Sequence, residues 1–513
     1  MDESSPGLDK AEFFPVSAFT SNVLKLVGGT TLAQGVNAIA APVLARIYSP
    51  HDFGIAAVFI SIVSLLAVIA CLRYEYAIVL PERDEDAVNV VALGIGVVLL
   101  LTGLTSLLFY YAQSPILDFL NATELRPFLW LIPVSLLING VYLALTYWNT
   151  RTKHFTRLSI TKVSASVTTN ASQGIIASVA GPTAGGLISG SLAGFATAAA
   201  VLGGQIWRDD HNLFLRNVSI PKILEALKRY RKFPLVDSWG GFINSLSWQL
   251  PALLLSVFFS QAIVGYYAIA YRLVKLPMSL IGSSVGQVFF QKVSEVREDP
   301  VELAKVVEMV FQRLTSLGLF PAVLMTVAGR ELFIVILGEN WAEAGVFVQI
   351  LGLWMFVWFV SSPLSTLFTV FEKQELALIV HSSILATRFI SLLIGGLLNN
   401  VYIALGLFSG TGILVYGGLA LWNMRLANVP FRSINRILLK YGLYASPLVG
   451  LVLLVKVLAS STPWWIVLVS GFVSIIYYLV VLGESFPLKA NLFPVMIVRA
   501  ERVRKFFRVH LDH

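Results

Sequence analysis

Long, continuous apolar runs recur from one end of this 513-residue chain to the other, and they restrict it to one kind of fold. A helix needs roughly 20 apolar residues to cross a hydrocarbon layer about 30 Å thick, because it rises about 1.5 Å per residue. Inside that layer no water is available to the backbone, so each run must satisfy its own N–H and C=O groups as a helix. The runs show none of the period-two alternation of a membrane β-barrel strand. They read as about fourteen spans, near 21–47, 52–80, 86–112, 126–149, 154–180, 184–207, 237–260, 264–291, 302–329, 341–371, 374–399, 401–424, 440–459 and 463–483. Composition agrees, with 57% hydrophobic and 13% charged residues and a mean hydropathy of +0.78. That is too little charge to coat a soluble chain of this length. The expected fold class is an all-α polytopic membrane protein.

The distribution of charge orients the chain. Its net charge is +8. With the N-terminus placed in the cytoplasm, the inward connections hold Arg83, Arg151, Lys153, Arg157, Lys292, Arg297, Lys373, Arg425, Arg432, Arg436 and Lys440. The connection after the sixth span adds seven more cations between Arg208 and Lys232, and the C-terminal tail is basic. The outward connections hold Arg330, with Arg46 and Arg126 at their margins. Such asymmetry is the signature of membrane orientation, not of a nucleic-acid partner. Both termini are therefore expected in the cytoplasm. The polar, acidic start MDESSPGLDKAEFF has no basic n-region or small-residue cleavage site, so the first span is expected to remain in the membrane. The single cysteine, Cys71, sits in an apolar run and reads as a small buried hydrophobe.

The longest internal polar stretch runs from Arg208 to about Lys232. Ser219 is placed to cap a short helix with Pro221 in its first turn. Ile223, Leu224 and Leu227 share one face, opposite Lys222, Lys228 and Arg229. This segment, like residues 495–508, reads either as an amphipathic helix on an anionic membrane surface or as a solvated loop with ordinary inward charge.

That stretch divides a repeat. The first part opens with Gly28-Gly29, then Gln34 and Asn37, Pro42, a tight turn and Gly54. The second opens with Gly240-Gly241, then Asn244 and Gln249, Pro251, a tight turn and Gly265. Six spans per half keep the two halves in the same orientation, so the repeat is parallel about an axis along the membrane normal. The expected organisation is a cytoplasmic tail (1–20), a six-helix bundle (21–207), an amphipathic cytoplasmic linker (208–236), a second six-helix bundle (237–425), two additional spans (426–484) and a basic cytoplasmic tail (485–513).

Ionisable residues within spans are costly, about 2.5–3.5 kcal/mol each at the bilayer centre, and so face the bundle interior. Here they are Arg73 and Glu75, Lys162, Arg272 and Lys275, Arg313 and Arg388. Cations predominate, which suits an anionic cargo such as a phosphate or diphosphate head group. Arg272 and Lys275 are one turn apart on one face and lie far from the span ends. Arg73 and Glu75 are close enough to pair or to snorkel. Arg46 lies at an outer mouth, Asp237 is placed to cap the seventh span, and His381 reads as a packed polar residue. Gly185-Gly186, Gly190 and Gly194 lack the Lys and Ser/Thr of a phosphate loop and read as a helix-packing stripe. No His/Cys/Asp/Glu group has metal-ligand spacing, and no nucleophile sits with a base. No metal, cofactor or catalytic residue is expected.

The segments ARIYSPHDFG (45–54) and RYEYAIVLPERDEDA (73–87) resemble the opening helix pair of Wzx-type polysaccharide flippases. FPLVDSWGGFINSLSWQLP (233–251), GYYAIAYRLVKLP (265–277) and QVFFQKVSE (287–295) resemble the corresponding pair of the second half. These flippases belong to the multidrug/oligosaccharidyl-lipid/polysaccharide exporter superfamily. The resemblance implies translocation of a polyprenyl-diphosphate-linked oligosaccharide across the bacterial inner membrane by alternating access, for O-antigen, exopolysaccharide or capsule. It brings in a polysaccharide polymerase and a chain-length regulator as partners. Carried over to this chain, it places Gln34, Arg46, Arg73, Gln249, Arg272 and Lys275 toward the lumen. With the reading of the residues themselves, Arg46, Arg73, Arg272 and Lys275 are the candidates for an anionic head group, Gln34, Asn37, Asn244 and Gln249 for polar cavity residues, and Glu75, Asp237, Arg313 and Arg388 for gating or coupling.

Three other classes compete. A cation-coupled multidrug antiporter of the same superfamily is expected to keep a deep acidic residue, and the first span has none. A flippase for a lipid-linked peptidoglycan precursor shares both fold and cationic cavity. A polymerase, ligase or glycosyltransferase needs a sizeable outer loop, whereas the longest outer connections, near 113–125 and 330–340, are only about a dozen residues.

Overall fold

The computed structural model describes residues 16–277, 282–459 and 462–485. The expected amphipathic segment 495–508 and most of the two tails lie outside the described residues. The chain is built from helices α1 (Val16–Ile47), α2 (Pro50–Ala67), α3 (Tyr74–Ala77), α4 (Asp84–Phe119), α5 (Leu131–Arg151), α6 (Phe155–Ala180), α7 (Ala184–Asn217), α8 (Ile220–Arg229), α9 (Ser238–Phe258), α10 (Gln261–Pro277), α11 (Ser283–Glu295), α12 (Pro300–Leu337), α13 (Ala342–Leu364), α14 (Leu367–Val370), α15 (Gln374–Leu397), α16 (Val401–Leu426), α17 (Phe431–Leu458) and α18 (Pro463–Ser485). Local sequence explains their starts. Ser49-Pro50-His51-Asp52 forms a capping box with proline in the first turn of α2, and the Asp299 carboxylate accepts from the Val301 and Glu302 amides at the start of α12.

Among the described residues, eleven helices are long and apolar enough to cross a membrane. Three helices, α1, α6 and α10, stand at the other expected places. Two of them carry the polar stretches GGTTLAQGVN (28–37) and SITKVSASVTTNASQ (159–173), and α10 has 17 residues. These polar or short helices face the protein's interior, as described below.

The expected second span, 52–80, is interrupted. After α2 the chain turns through 68–73, with Leu72 and Arg73 in the left-handed region (φ 46° and 63°) before α3. Of the expected span 264–291 the described parts are α10, to Pro277, and α11, from Ser283, with 278–281 outside the described residues. In the other direction, α7 continues to Asn217, well past 207, and α17 starts at Phe431, before 440. Ser219 precedes α8 without a side-chain cap; instead its amide donates to Asn89 Oδ1 at 2.9 Å. Lys222 of α8 pairs with Asp86 of α4 at 2.9 Å.

Packing follows the repeat. In the first half α1 packs on α6, α4 on α5, α5 on α7 and α6 on α7. In the second half α9 packs on α15, α12 on α13, α13 on α16 and α15 on α16. The pair α17–α18 lies outside this scheme and packs on α12. The glycine stripe of α7 performs the helix packing expected of it. A Cβ at Gly190 or Gly194 would overlap Gln173 or Thr169 of α6.

The halves meet through α2 and α10 at the end where α1 turns into α2, called here the hairpin end. The contact is reciprocal. A Cβ on Gly54 would overlap the Gln261 carbonyl, and one on Gly265 would overlap the Pro50 carbonyl. Pro50 is four residues before Gly54 and Gln261 four before Gly265, so the two helices present the same surface to each other. One apolar core joins the halves here, running from Leu44, Tyr48 and Phe53 to Val264, Trp341 and Phe347. Exposed aromatics ring both ends, with Tyr110, Tyr111, Trp130, Trp464 and Trp465 at the hairpin end and Trp207, Trp239 and Trp422 at the other. This is the distribution of membrane–water interface belts. Substituting Gly54 by Val is expected to destabilise the protein by about 1–3 kcal/mol through overpacking, read as a lower unfolding midpoint in detergent. Gly240→Ala, where a Cβ meets nothing within 4 Å, is expected to leave the midpoint unchanged.

Candidate functional site

Between the halves lies a cavity of about 790 Å³. The first half contributes Thr30, Gln34 and Asn37 from α1, Ile60 and Ser61 from α2, Asn139 and Tyr142 from α5, and Lys162, Ser166, Thr169 and Gln173 from α6. The second half contributes Trp248 and Gln249 from α9 and Tyr267, Tyr271 and Arg272 from α10. The polarity of α1 and α6 thus has a use: their polar stripes face this space. Asn37 Oδ1 accepts from Ser166 Oγ at 2.9 Å and from Asn170 Nδ2 at 2.8 Å, fixing α1 against α6. Lys162 Nζ donates to Thr30 Oγ1 at 3.0 Å.

Among the described residues the wall carries two cations, Lys162 and Arg272, and no Asp or Glu. Lys275, one turn beyond Arg272, is exposed and holds its ammonium 5.7 Å from the Trp248 ring centre and 5.4 Å from that of Tyr271. None of the ion pairs among the described residues includes Lys162, Arg272 or Lys275. Positive charge in a partly desolvated space without a carboxylate is a standing attraction for an anion. The Tyr271 hydroxyl is buried without a hydrogen-bond partner, a free polar group on the same wall.

The other sequence-designated residues fall elsewhere. Gln34, Asn37, Gln249 and Arg272 share the cavity wall; Arg46, Arg73, Asn244 and Lys275 are not among its lining residues. Arg46 sits at the hairpin end and reaches across to α12, donating to the carbonyls of Val335 (2.8 Å) and Ile336 (3.2 Å). Trp341 makes the reverse crossing, its Nε1 donating to the Ala45 carbonyl at 2.6 Å while its ring packs edge-on against Phe53. Arg73 sits at the opposite end. Its guanidinium occupies the space beside Gly241 that a side chain there would fill. It lies 3.7 Å from Asp237 and 3.9 Å from the buried Glu75, and donates to Tyr76 Oη at 2.6 Å. Both arginines therefore join the halves, one at each end of the cavity. Asp237 does not cap α9. It has helical dihedrals, is the last residue of a π-helical turn over Phe233–Asp237 and makes no capping bond. Arg313 and Asn244 are exposed on α12 and α9.

Arg388 is 5% exposed, buried between α9, α15 and α16. Pro251 has no N–H, so it leaves the carbonyl of Ser247, four residues earlier, without its helical donor. Arg388 Nη1 donates to that carbonyl at 2.8 Å and to Ser247 Oγ at 3.1 Å, while Nη2 donates to Tyr416 Oη at 3.2 Å. Its guanidinium stacks 4.2 Å from the Trp248 ring centre, so it fixes a cavity wall from behind. Among the described residues no group of three or more His, Cys, Asp or Glu could hold a metal ion. What residue-by-residue reading passed over is the aromatic wall and the α6 stripe. Lys162, Ser166, Thr169 and Gln173 recur at helical spacing and carried the signal.

Residues 43–346 match the family described as "Polysaccharide biosynthesis protein". Over 356 residues the chain is 25% identical to the "Succinoglycan biosynthesis transport protein ExoT" of Rhizobium meliloti (strain 1021), a match covering 64% of this chain and 66%, just under two thirds, of that protein. The fold is similar to that of "Lipid II flippase MurJ, inward closed conformation" (TM-score 0.71, 13% identity, 90% of this chain and 98% of that one). It is also similar to an inward-facing multidrug resistance MATE family transporter (TM-score 0.60, 14% identity, 77% and 94%). The chain belongs to the polysaccharide biosynthesis protein family. It is a multi-pass membrane protein with the fold of the lipid II flippase and MATE transporter structures above.

The two kinds of buried cation separate by substitution. Arg388→Leu is expected to cost about 1–3 kcal/mol, because it strands the Ser247 and Tyr416 oxygens. Arg272→Leu removes an uncompensated charge and is expected to leave the protein as stable as before or more so. Chemical unfolding of both variants in one detergent checks the contrast.

Proposed function

We propose that this protein carries a polyprenyl-diphosphate-linked oligosaccharide across the bacterial inner membrane by alternating access, for assembly of a surface polysaccharide. The observation that carries this reading is the pair Lys162 and Arg272, facing one cavity from opposite halves with no acid on its wall among the described residues. The diphosphate binds between them and Lys275. Guanidinium groups bind phosphate oxygens in bidentate fashion, and in a partly water-excluded space such contacts are stronger than in water. The sugars occupy the polar and aromatic remainder. Their C–H faces lie on Trp248 and Tyr271, and their hydroxyls bond Gln34, Asn37, Gln249 and the free Tyr271 hydroxyl. The polyprenyl tail stays in the bilayer.

The hairpin end is the periplasmic end, and the many cations at the opposite end face the cytoplasm. In this state Arg46, Trp341 and the Gly54–Gly265 contact hold the periplasmic end shut. Release outward requires those contacts to part while Arg73, Asp237 and Gly241 hold the cytoplasmic end. The protein does no covalent chemistry; polymerase and chain-length regulator act on what it delivers. A cationic drug is a poor fit to a wall that carries cations and no acid. A lipid-linked peptidoglycan precursor shares the head-group chemistry, and the family match favours the polysaccharide.

Reversing both charges, Arg272→Glu with Lys275→Glu, is expected to abolish surface polymer while the protein remains inserted at normal abundance. Polymer at the unsubstituted level would overturn the cationic site. Proteoliposome assays with lipid-linked oligosaccharide, peptidoglycan precursor and a cationic dye decide the cargo, and uptake of the glycan lipid alone is expected.

A further inference from the structure

The pair α17–α18 lies outside the repeat that builds the cavity, yet it is attached to α12 at chemically specific points. α12 contains Pro321. Proline has no N–H, so the carbonyl of Leu317, four residues earlier, loses its helical donor, and helices bend most easily at such a point. A buried carbonyl left in this way must find another donor. Tyr478 of α18 supplies it: its hydroxyl donates to the Leu317 carbonyl at 3.0 Å. The neighbouring Tyr477 donates to the Ser316 carbonyl at 3.0 Å, and its ring stacks on Phe320 with centres 4.5 Å apart. A turn of α18 thus clasps α12 at its proline.

A second attachment lies further along α12. Lys456 of α17 pairs with Glu331 at 3.0 Å and donates to the Val327 carbonyl at 2.8 Å. Glu331 stands four and five residues before Val335 and Ile336, whose carbonyls receive Arg46 from the other half. Two residues beyond the end of α12 begins the turn that carries Trp341, the second crossing contact. The portion of α12 after Pro321 is thereby held by α17 on one side and by the hairpin-end closure on the other.

We propose that α17–α18 positions the outer gate: the two tyrosines set the bend of α12 at Pro321, and Lys456 fixes the segment that presents the Arg46 acceptors and Trp341. The same device occurs inside the second bundle, where Arg388 occupies the carbonyl freed by Pro251. In α9 the donor comes from within the repeat; in α12 it comes from the added pair. The role rests on the alternating-access reading, but its test does not use the cargo, so an error in the assigned substrate leaves it intact.

The test places a reporter cysteine at Ile60, on the cavity wall, in the full-length protein in spheroplasts. The native Cys71 is buried and stays silent. A membrane-impermeant maleimide applied from outside reads the opening of the hairpin end. Tyr477→Phe with Tyr478→Phe keeps both rings and removes both hydroxyls. It is expected to raise the labelling rate about fivefold, the equivalent of losing roughly one net hydrogen bond's worth of closure. Lys456→Met is expected to raise it as well. The decisive pair is Tyr478→Phe in a Pro321→Ala background. Alanine gives the Leu317 carbonyl its own helical donor, so removing the Tyr478 hydroxyl is then expected to change the rate less than twofold. Equal effects of Tyr478→Phe with and without Pro321, or unchanged labelling in a double phenylalanine variant of normal abundance, would overturn the proposal.

Discussion

Two helices that touch at a glycine each set the terms for the rest of this molecule. At Gly54 and Gly265 the backbones of α2 and α10 approach so closely that neither tolerates a Cβ. In lipid there is no hydrophobic drive between apolar helices, so close packing of small residues is what can hold two bundles together. Because the contact is made by equivalent residues of a parallel repeat, it lies on the axis relating the halves. It closes the cavity at one end without filling it. The two arginines that cross between halves, Arg46 at the hairpin end and Arg73 beside Gly241 at the other, mark the two places where the proposed alternating access would make and break contact.

Buried charge in the protein divides by whether it has been given partners. Arg388 has three oxygen acceptors, and one of them is a carbonyl that Pro251 leaves open. Glu331 and Lys456 have each other. Lys162 and Arg272 have no carboxylate partner among the described residues and face a cavity. An ionised group at the bilayer centre costs about 2.5–3.5 kcal/mol, and stability alone gives no reason to keep two of them uncompensated. The anionic cargo proposed above supplies one.

Much of this was legible in the sequence, for reasons that can be named. Span positions follow from hydropathy, which dominates in lipid, and the repeat was visible because glycine, proline and tight turns recur at matching places. The reading went wrong where hydropathy says nothing about backbone direction. Arg73 sits in a run apolar enough for a continuous helix, yet it has a left-handed φ of 63°, held by contacts with Asp237 and Gly241 far along the chain. The expected cavity roles of Arg46 and Arg73 passed to the two ends for the same reason: a charge in a span must face inward, and hydropathy does not say at what depth or toward which neighbour. Asp237 sits where a cap belongs, but a π-helical turn carries the helix through it. The polar stripe of α6 was readable at helical spacing. Its meaning emerged only when α1 was seen to supply the other side of the cavity.

The central claim is that the halves part at the hairpin end when an anionic lipid occupies the cavity between them. Distances between spin labels on half-buried His51 and exposed Glu339, at the hairpin ends of the two halves, test it directly in lipid nanodiscs. With a short-chain polyprenyl diphosphate carrying one sugar, a second, longer distance should become populated, and it should vanish when Lys162 and Arg272 are both replaced by Leu. A single distance, unmoved by the lipid diphosphate at saturating concentration, would contradict the account.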